Sequence, residues 1–335
     1  MKKHLISLAI IGMLFFDGYT QNLNTPAEIF KIMEESSVMY EIQILEKEIL
    51  PPDRTNLLNY NDVYRVKENN NYIVINYDVS GSTASYASKA EEYFEKKDYA
   101  NARNMYLQAL AIDSTYYEIM TYLGQTYYIE GDYENAINWY EKVIKLNFID
   151  YMAHWFLADA LSLKGDTERA LDEITIAMIL NRNNPRIKKS FDRIYESKKL
   201  KTTHWVFNPQ MEIGLVDENK VKISFAEDWL SYAMAKAVWN FEPGYKEKKG
   251  VAKESYSSLE EKEAIAGLYL TMDKKKQKKL PEFKALSLAI DKKMLDEYII
   301  YEIMLPDHPS IVYQLTEETI LGIKEYVKTV RGGLK

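Results

Sequence analysis

The sequence predicts a mainly α protein: an α-solenoid of three helix pairs plus a capping helix, with a small N-terminal α+β segment and a mostly helical C-terminal domain. Three observations indicate this fold class. Residues 83–184 repeat with a period of 34, apolar side chains recur there at three- and four-residue spacing, and only short segments near residues 40, 70 and 215 have strand character. The 335 residues, 47% hydrophobic and 28% charged, suffice for two or three cores.

Residues 1–20 have the pattern of a cleaved secretory signal. Lys2 and Lys3 precede an apolar stretch from Leu5 to Phe16, and small residues follow at Gly18 and Thr20. The alternative is a membrane anchor, but this stretch would rise only about 18 Å as a helix, against a hydrocarbon core of about 30 Å. We therefore expect cleavage near Thr20, an exported protein that is periplasmic or secreted, and no integral membrane segment after cleavage.

Residues 21–82 predict a small α+β segment. Thr25-Pro26-Ala27-Glu28 combines an N-cap, a proline at the first helical position and a capping-box glutamate, so a helix should run to about Ser36. Runs rich in Tyr, Ile and Val predict strands at 38–45, 63–66 and 72–77, with a turn at 69–71. Gly81-Ser82 would join this segment to the repeated region.

The repeated region consists of three copies offset by 34 residues. Aligned positions share their residue class: Ala102, Ala136 and Ala170; Tyr106, Tyr140 and Ile174; Tyr93, Tyr127 and Leu161. In the middle copy the spacing predicts two antiparallel helices, with Gly131 as the left-handed residue after the first and Asp132 as the cap of the second. Small residues, Gly124 and Ala136, would let the two helices pack closely.

These copies resemble tetratricopeptide repeats, the family whose signature places Leu-Gly, Tyr, Gly-Asp-Tyr, Ala, an aromatic residue and Ala at fixed offsets. The resemblance covers 83–184 and is strongest in the middle copy. The outer copies depart from it, since Lys97 replaces the turn glycine in the first copy, and Lys89-Ala90 and Leu157-Ala158 stand in for Leu-Gly in the first and third. Ser114, Phe148 and Arg182 stand where the family often has proline. Residues 185–200 predict a helix that caps the solenoid, which then spans 83–200.

Residues 201–335 predict a mostly helical domain that begins with a hairpin, with strands at 211–216 and 221–225 around a loop at 217–220. Helices are expected at 229–239, 264–272, 281–305 and 316–330. Ser224 with Glu227 and Ser257 with Glu260 should form capping boxes. The lysine-rich segments 246–249 and 274–279 are interpreted as solvated loops, with a docking patch for an acidic partner as the alternative.

The composition excludes several function classes. Without cysteine the chain has no disulfide, thiolate-bound zinc or thiol nucleophile, and its four histidines are not spaced as a metal-binding pair. The 43 basic and 50 acidic residues give a net charge of −7, which argues against nucleic-acid binding. No phosphate-binding or hydrolase motif occurs. We therefore expect no catalytic residue, metal or cofactor, and we assign structural roles to His154, Glu260 and Glu261.

The resemblance implies a binding surface, because in this family the first helices of successive repeats line a concave groove that takes a peptide or a partner's helix. Nine residues are expected to line it: Ala87, Glu91, Phe94, Thr121, Gln125, Tyr128, Trp155, Asp159 and Ser162. They lack the Lys, Arg and Asn cluster by which some members bind a C-terminal carboxylate. The aromatic residues among them are candidate anchors for a partner, unless a flanking domain covers them.

The sequence thus predicts an exported protein that mediates protein–protein interaction or scaffolding through its repeats, with a protein or peptide partner. The alternative is that the C-terminal domain is an enzyme of unrecognised type and that the repeats recruit its substrate. A pocket in that domain with several titratable groups of strongly shifted pKa would favour the enzyme.

Overall fold

The structure is a computed structural model that describes residues 23–332 except 61, 69, 70, 78, 80, 201–203 and 254, so the expected signal at 1–20 lies outside the described residues. Its helices are α1 Pro26–Glu35, α2 Gly81–Glu95, α3 Tyr99–Ile112, α4 Tyr117–Ile129, α5 Tyr133–Leu146, α6 Tyr151–Lys164, α7 Thr167–Leu180, α8 Pro185–Ser197, α9 Leu230–Phe241, α10 Tyr245–Lys248, α11 Ser258–Thr271, α12 Lys274–Lys279, α13 Pro281–Asp291, α14 Leu295–Tyr298, α15 Leu305–Asp307 and α16 Glu317–Tyr326. Its strands are β1 Met39–Ile44, β2 Val63–Glu68, β3 Asn71–Asn76, β4 Met211–Asp217 and β5 Lys220–Phe225. None of the described helices combines the length and the apolar character needed to cross a membrane.

The chain forms two compact units, each made of two separate stretches of sequence. The sheet unit comprises 1–52 and 205–303, and the repeat unit comprises 53–204 and 304–335. This division differs from the expected boundaries at 82 and 200. The reason is that β1 pairs with β5, which places β1 in the sheet unit, while the β2–β3 hairpin packs on the repeats.

The sheet unit has β5 at its centre, with β1 parallel on one side and β4 antiparallel on the other. The β4–β5 hairpin confirms the turn expected near 217–220. Val221 and Ile223 are fully buried on the strand that packs against α9, and α1 and α11 pack on α9 in turn. Helix α1 begins with the expected capping box, in which the Thr25 side chain accepts from the Glu28 N–H and Glu28 accepts from the Thr25 N–H.

In the repeat unit the predicted helix pairs are confirmed as α2/α3, α4/α5 and α6/α7, and α8 packs on α7 as the capping helix. The turn of each pair has a left-handed residue: Gly131 and Gly165 have φ of 83°, and Lys97 has φ of 61°. The aspartate that follows each of them accepts a hydrogen bond from the backbone of the second helix. The small residues at the helix contacts are fully buried, which confirms the close packing expected there: Ala90, Ala102, Ala136, Ala158 and Ala170.

Several local predictions for residues 224–305 are wrong. Ser224 lies in β5, so it caps no helix, and a 3₁₀ turn at 227–229 leads into α9. The expected helix at 281–305 is broken because Lys293 adopts a left-handed conformation, so that α13, α14 and a π-helical segment at 299–304 replace it. The lysine-rich segments form the short helices α10 and α12 rather than loops.

The segments that flank the repeats contact them at positions that also recur every 34 residues. Asp113, Asn147 and Asn181 follow the last residue of α3, α5 and α7. Asp113 accepts a hydrogen bond from the Tyr77 hydroxyl at 2.6 Å, and the Asn147 amide donates to the Val63 carbonyl at 3.1 Å. Asn181 exchanges two hydrogen bonds with the backbone of Asn59. Asn59, Val63 and Tyr77 therefore each bind the equivalent side chain of a different repeat.

The C-terminal helix α16 covers the outer side of the third repeat, where it packs against α7. Asp172 of α7 accepts from Lys324 at 3.1 Å and from Lys328. The sequence of α7 is adapted to this cover, since Ile176 and Ile179 are buried where the equivalent positions of α5 carry the exposed residues Lys142 and Lys145. The last segment of the chain thus belongs to the repeat unit.

Candidate functional site

The nine expected groove residues all lie on α2, α4 and α6, the first helices of the three pairs. They form three rows in which each residue is offset by 34 from the next: Ala87, Thr121 and Trp155; Glu91, Gln125 and Asp159; Phe94, Tyr128 and Ser162. The rows differ in how much of each side chain remains exposed.

The first row mostly forms the buried base of the groove. Ala87 is 5% exposed and Thr121 is 1% exposed, so neither side chain offers a surface that a partner could reach. Trp155 is half-buried, and its indole N–H donates to the Ser190 hydroxyl of α8 at 2.9 Å. The capping helix therefore holds the one aromatic side chain of this row.

The second row differs in charge from repeat to repeat. Asp159 forms an ion pair with Arg193 of α8, and Arg193 itself stands one period after Asp159. Burial raises the pKa of Asp159, and the arginine opposes that effect. Glu91 is exposed, its neighbour in the row is the neutral Gln125, and no cation among the described residues pairs with it.

The third row provides half-buried aromatic rings. Phe94 packs edge-on against Tyr99 with ring centroids 5.4 Å apart, and Tyr128 packs on Tyr133 at 5.6 Å. Each of these partners is the first residue of the following helix. Burial, and then the charge of Asp159, raises the pKa of Tyr128. Both rings are thus fixed within their own repeat while part of their surface remains exposed.

Glu118 is a groove residue that the sequence analysis did not include. It lies on α4 one turn before Thr121, is half-buried, and accepts a hydrogen bond from the Tyr116 hydroxyl at 3.4 Å. Burial, Asp62 and Glu91 raise the pKa of Glu118. The spacing of 118, 121, 125 and 128 on one helical face is a signal that could have identified it.

Comparison with protein families agrees with this geometry. Residues 83–116 and residues 117–148 each match a family model described as tetratricopeptide repeat. The chain carries tetratricopeptide repeats.

Solved tetratricopeptide structures resemble part of the chain. The first such domain of Spaghetti (RPAP3), solved with an HSP90 peptide, is 17% identical, with 35% of this chain and 94% of that chain covered and a TM-score of 0.34. The translocator chaperone SycD of Yersinia enterocolitica is 20% identical, with coverages of 36% and 98% and a TM-score of 0.34. The C-terminal domain of a putative FK506-binding protein of Plasmodium falciparum is 24% identical, with coverages of 35% and 89% and a TM-score of 0.32. No curated protein matches the chain.

Outside the tetratricopeptide repeats, the sheet unit contains a buried ionic cluster on α9, α11 and the segment between them. Glu261 accepts from Lys236 at 2.6 Å and from Tyr232 at 2.7 Å, and Glu263 accepts from Lys249 at 3.0 Å. Burial would lower the pKa of Lys236, but Glu261 and Glu260 outweigh it and raise that pKa. Glu260 turns to Lys236 instead of closing the capping box with Ser257. The two lysines pair with the three glutamates, and among the described residues Oε2 of Glu260 is left buried without a hydrogen-bond partner.

A groove of about 620 Å³ in the sheet unit lies apart from this cluster. It crosses β1, β5 and β4 on the polar side of the sheet, between Gln43, Gly214 and Lys222, and none of the clustered glutamates lines it. The described residues include no group of three or more His, Asp or Glu that could hold a metal ion. The titratable groups with strongly shifted pKa in this unit are therefore separate from its groove.

Proposed function

We propose that this protein is an exported scaffold that binds a protein or peptide partner along the concave groove of its tetratricopeptide repeats. The observation that carries the proposal is the open end of the groove, formed by the first two repeats. There Glu91 is exposed, Gln125 and Tyr128 are half-buried, and α8 contributes no hydrogen bond or ion pair to them among the described residues. Rigid aromatic and polar side chains on a fixed helical frame are the usual material of a protein interface.

An enzymatic role for residues 201–335 is the second candidate, and the structure supports it less. Tyr232, Lys236 and Tyr245 have raised pKa values, which is typical of active sites. Each of them, however, donates a hydrogen bond to a buried glutamate of α11. Such hydrogen bonds compensate buried charge, and they account for the raised pKa values without a substrate.

Partner binding can be tested by peptide-display selection on the full mature chain, followed by affinity measurements on the selected peptides. Tyr128→Ala should weaken binding by about 2 kcal/mol, because it removes an aromatic anchor from the open end. Tyr60→Ala is the matched control, since Tyr60 is 74% exposed in the same unit and belongs to none of the three rows. Equal losses in the two variants, or no selected peptide at all, would contradict groove binding.

Export is supported by the charged and apolar pattern of residues 1–20. Leu8→Arg introduces a charge into the only segment apolar enough to be recognised for secretion, so the precursor should accumulate uncleaved in the cytoplasm. Leu8→Ile, which keeps the segment apolar, should be processed like the natural chain. Full processing of the Leu8→Arg chain outside the cytoplasm would rule out a signal at this position.

A further inference from the structure

Strand β1 has a free edge, because β5 pairs with one side of it and no described strand pairs with the other. At either end of β1, Met39 and Leu45 donate their N–H groups to carbonyls of β5. Since successive residues of a strand alternate in direction, the backbone groups of three residues face away from the sheet: Tyr40, Ile42 and Ile44. Unpaired N–H and C=O groups in such a row are a template for another strand.

The two outer strands of this sheet differ in how well their free edges are protected. The pairing of β4 with β5 is interrupted by a register shift between Leu215 and Asp217, and β4 also contains Gly214. β1 pairs with β5 in unbroken register and contains no lysine, proline or glycine. Bulges, lysine and proline are the features by which natural proteins prevent pairing at an edge. The edge of β1 lacks them and is suited to pair with another strand.

The side chains along this edge are apolar on the sheet face that α9 covers. Ile42 and Ile44 lie in register with Ile223 and Phe225 of β5, which are buried on that face. Ile42 and Ile44 are themselves exposed, because α9 packs mainly on β5 and β4. A strand added beside β1 would cover them.

The sequence of β1 is complementary to itself about Ile42. When two copies of β1 pair antiparallel with a two-fold axis at Ile42, Tyr40 lies opposite Ile44 of the second copy. Glu41 then lies opposite Gln43 on the other face of the sheet. An aromatic ring opposite a β-branched residue is a favourable cross-strand pair, and an acid opposite a neutral amide avoids repulsion.

The two neighbouring registers are less favourable. An axis at Glu41 would place the two Glu41 side chains directly opposite each other, with about 4.5 Å between their Cα atoms, and like charges at this spacing repel. An axis at Gln43 would place Tyr40 opposite Glu46, which lies beyond the end of β1. The charges therefore select the axis at Ile42.

We propose that this protein forms a two-fold symmetric dimer in which the β1 strands of two copies pair antiparallel with Ile42 at the axis. The pairing joins two three-stranded sheets into one continuous sheet and adds about six main-chain hydrogen bonds between the copies. The interface uses residues of the sheet unit alone, so the dimer does not depend on partner binding by the repeats.

Sedimentation equilibrium of the full mature chain tests the dimer. At concentrations up to on the order of 100 µM we expect a monomer–dimer equilibrium. Ile44→Lys should raise the dissociation constant about tenfold or more, because the two-fold axis places one lysine opposite each Tyr40. Leu215→Lys is the matched control and should leave the constant unchanged, since Leu215 is 62% and Ile44 63% exposed on the same face at opposite edges of the sheet.

Disulfide cross-linking tests the register, and the chain has no natural cysteine to interfere. Ile42→Cys brings two thiols together at the axis, with about 5.5 Å between Cα atoms, which a disulfide can span. Oxidation with copper phenanthroline should therefore convert this variant to a covalent dimer. Met39→Cys is the control at a more exposed position of the same strand, and it should give no covalent dimer because the two sites lie about 20 Å apart.

Three results would overturn the inference. A chain that stays monomeric at the highest concentration would leave the edge of β1 to a strand of another protein. Equal dimerisation of Ile44→Lys and Leu215→Lys would place the interface elsewhere. A dimer in which Met39→Cys cross-links and Ile42→Cys does not would contradict the axis at Ile42.

Discussion

At the scale of single residues, the same position in successive repeats can carry different charges and make different contacts. Positions 91, 125, 159 and 193 are occupied by Glu, Gln, Asp and Arg, and only the last two neutralise each other. The periodicity predicted which side chains share a row. It could not predict which of them are satisfied within the chain, because that depends on the orientation of α8, a helix outside the three complete repeats.

Asp150 provides a test of buried charge. It caps α6 by accepting from the Ala153 N–H at 2.9 Å while only 1% exposed, and burial raises the pKa of Asp150 to about 6, against backbone hydrogen bonds and His154, which lower it. The folded state therefore favours the protonated form, and the associated stability is present at low pH and lost as the pH rises through about 6. Asp150→Asn keeps a capping oxygen without the charge.

We expect Asp150→Asn to be more stable than the natural chain at about pH 8, by on the order of 1–3 kcal/mol, with the difference vanishing toward about pH 4. Urea unfolding across this range measures it. Asp132→Asn is the control, because hydrogen bonds from Asn135 lower the pKa of this exposed cap, so its charge should stabilise the fold at neutral pH. A natural chain that is the more stable at about pH 8 would contradict the assignment.

Gly124 tests the packing within a repeat. A Cβ added there would lie 2.6 Å from Cε1 of Tyr140, and Tyr140 is fully buried, so its ring cannot move aside. Gly124→Ala should lower the free energy of unfolding by about 1–3 kcal/mol, even though alanine favours a helix by about 1 kcal/mol over glycine. Asn138→Ala, at an exposed position of α5, should change it by less than about 0.5 kcal/mol. Equal midpoints in urea would refute the predicted contact between α4 and α5.

At the scale of secondary-structure elements, the sequence predicted the helices whose ends and spacing are determined by neighbouring residues. The capping box at Thr25, the glycine turns and the 34-residue period each reside in a few adjacent residues, and the corresponding helices are confirmed. The parallel pairing of β1 with β5 is different, since it joins segments about 180 residues apart, and no local pattern records it. The recurrence of Asp113, Asn147 and Asn181 follows from the 34-residue period, but the groups that these side chains bind could not be predicted from it.

The contribution of these three contacts to stability can be tested at Asn181. Its side chain accepts from the Asn59 N–H at 3.2 Å and donates to the Asn59 carbonyl at 3.0 Å, and both residues are buried. Asn181→Ala would leave these backbone groups without partners, at a cost of about 2 kcal/mol or more. The rate of amide hydrogen exchange in residues 57–77 should also rise in this variant. Asn104→Ala, at an exposed position of α3, should change neither quantity, and unchanged exchange in the Asn181 variant would show that residues 57–77 are held by other contacts.

At the scale of the whole molecule, each unit is assembled from two stretches that are distant in sequence. The repeats supply a regular frame, but the repeat unit also includes the β2–β3 hairpin and the last helix. Repeat proteins need capping elements because terminal repeats expose an apolar face. The cap at 185–200 was predictable because it directly follows the third repeat. The helix expected at 316–330 is confirmed as α16, but its packing on α7 was not predicted, because a covering helix can come from any part of the chain.

The role of α16 can be tested with a chain that ends at residue 303. Ile176 and Ile179 of α7 are buried in a unit in which α16 and residues 309–314 pack on that helix. Exposure of one isoleucine costs about 1.5–3 kcal/mol, so we expect the repeat unit of the shortened chain to unfold at lower urea concentration and to bind an apolar dye. Lys328→Gln in the full chain is the control. It removes one partly exposed ion pair with Asp172 and should cost less than about 1 kcal/mol, so an equal loss in both proteins would mean that α16 contributes charge and not apolar cover.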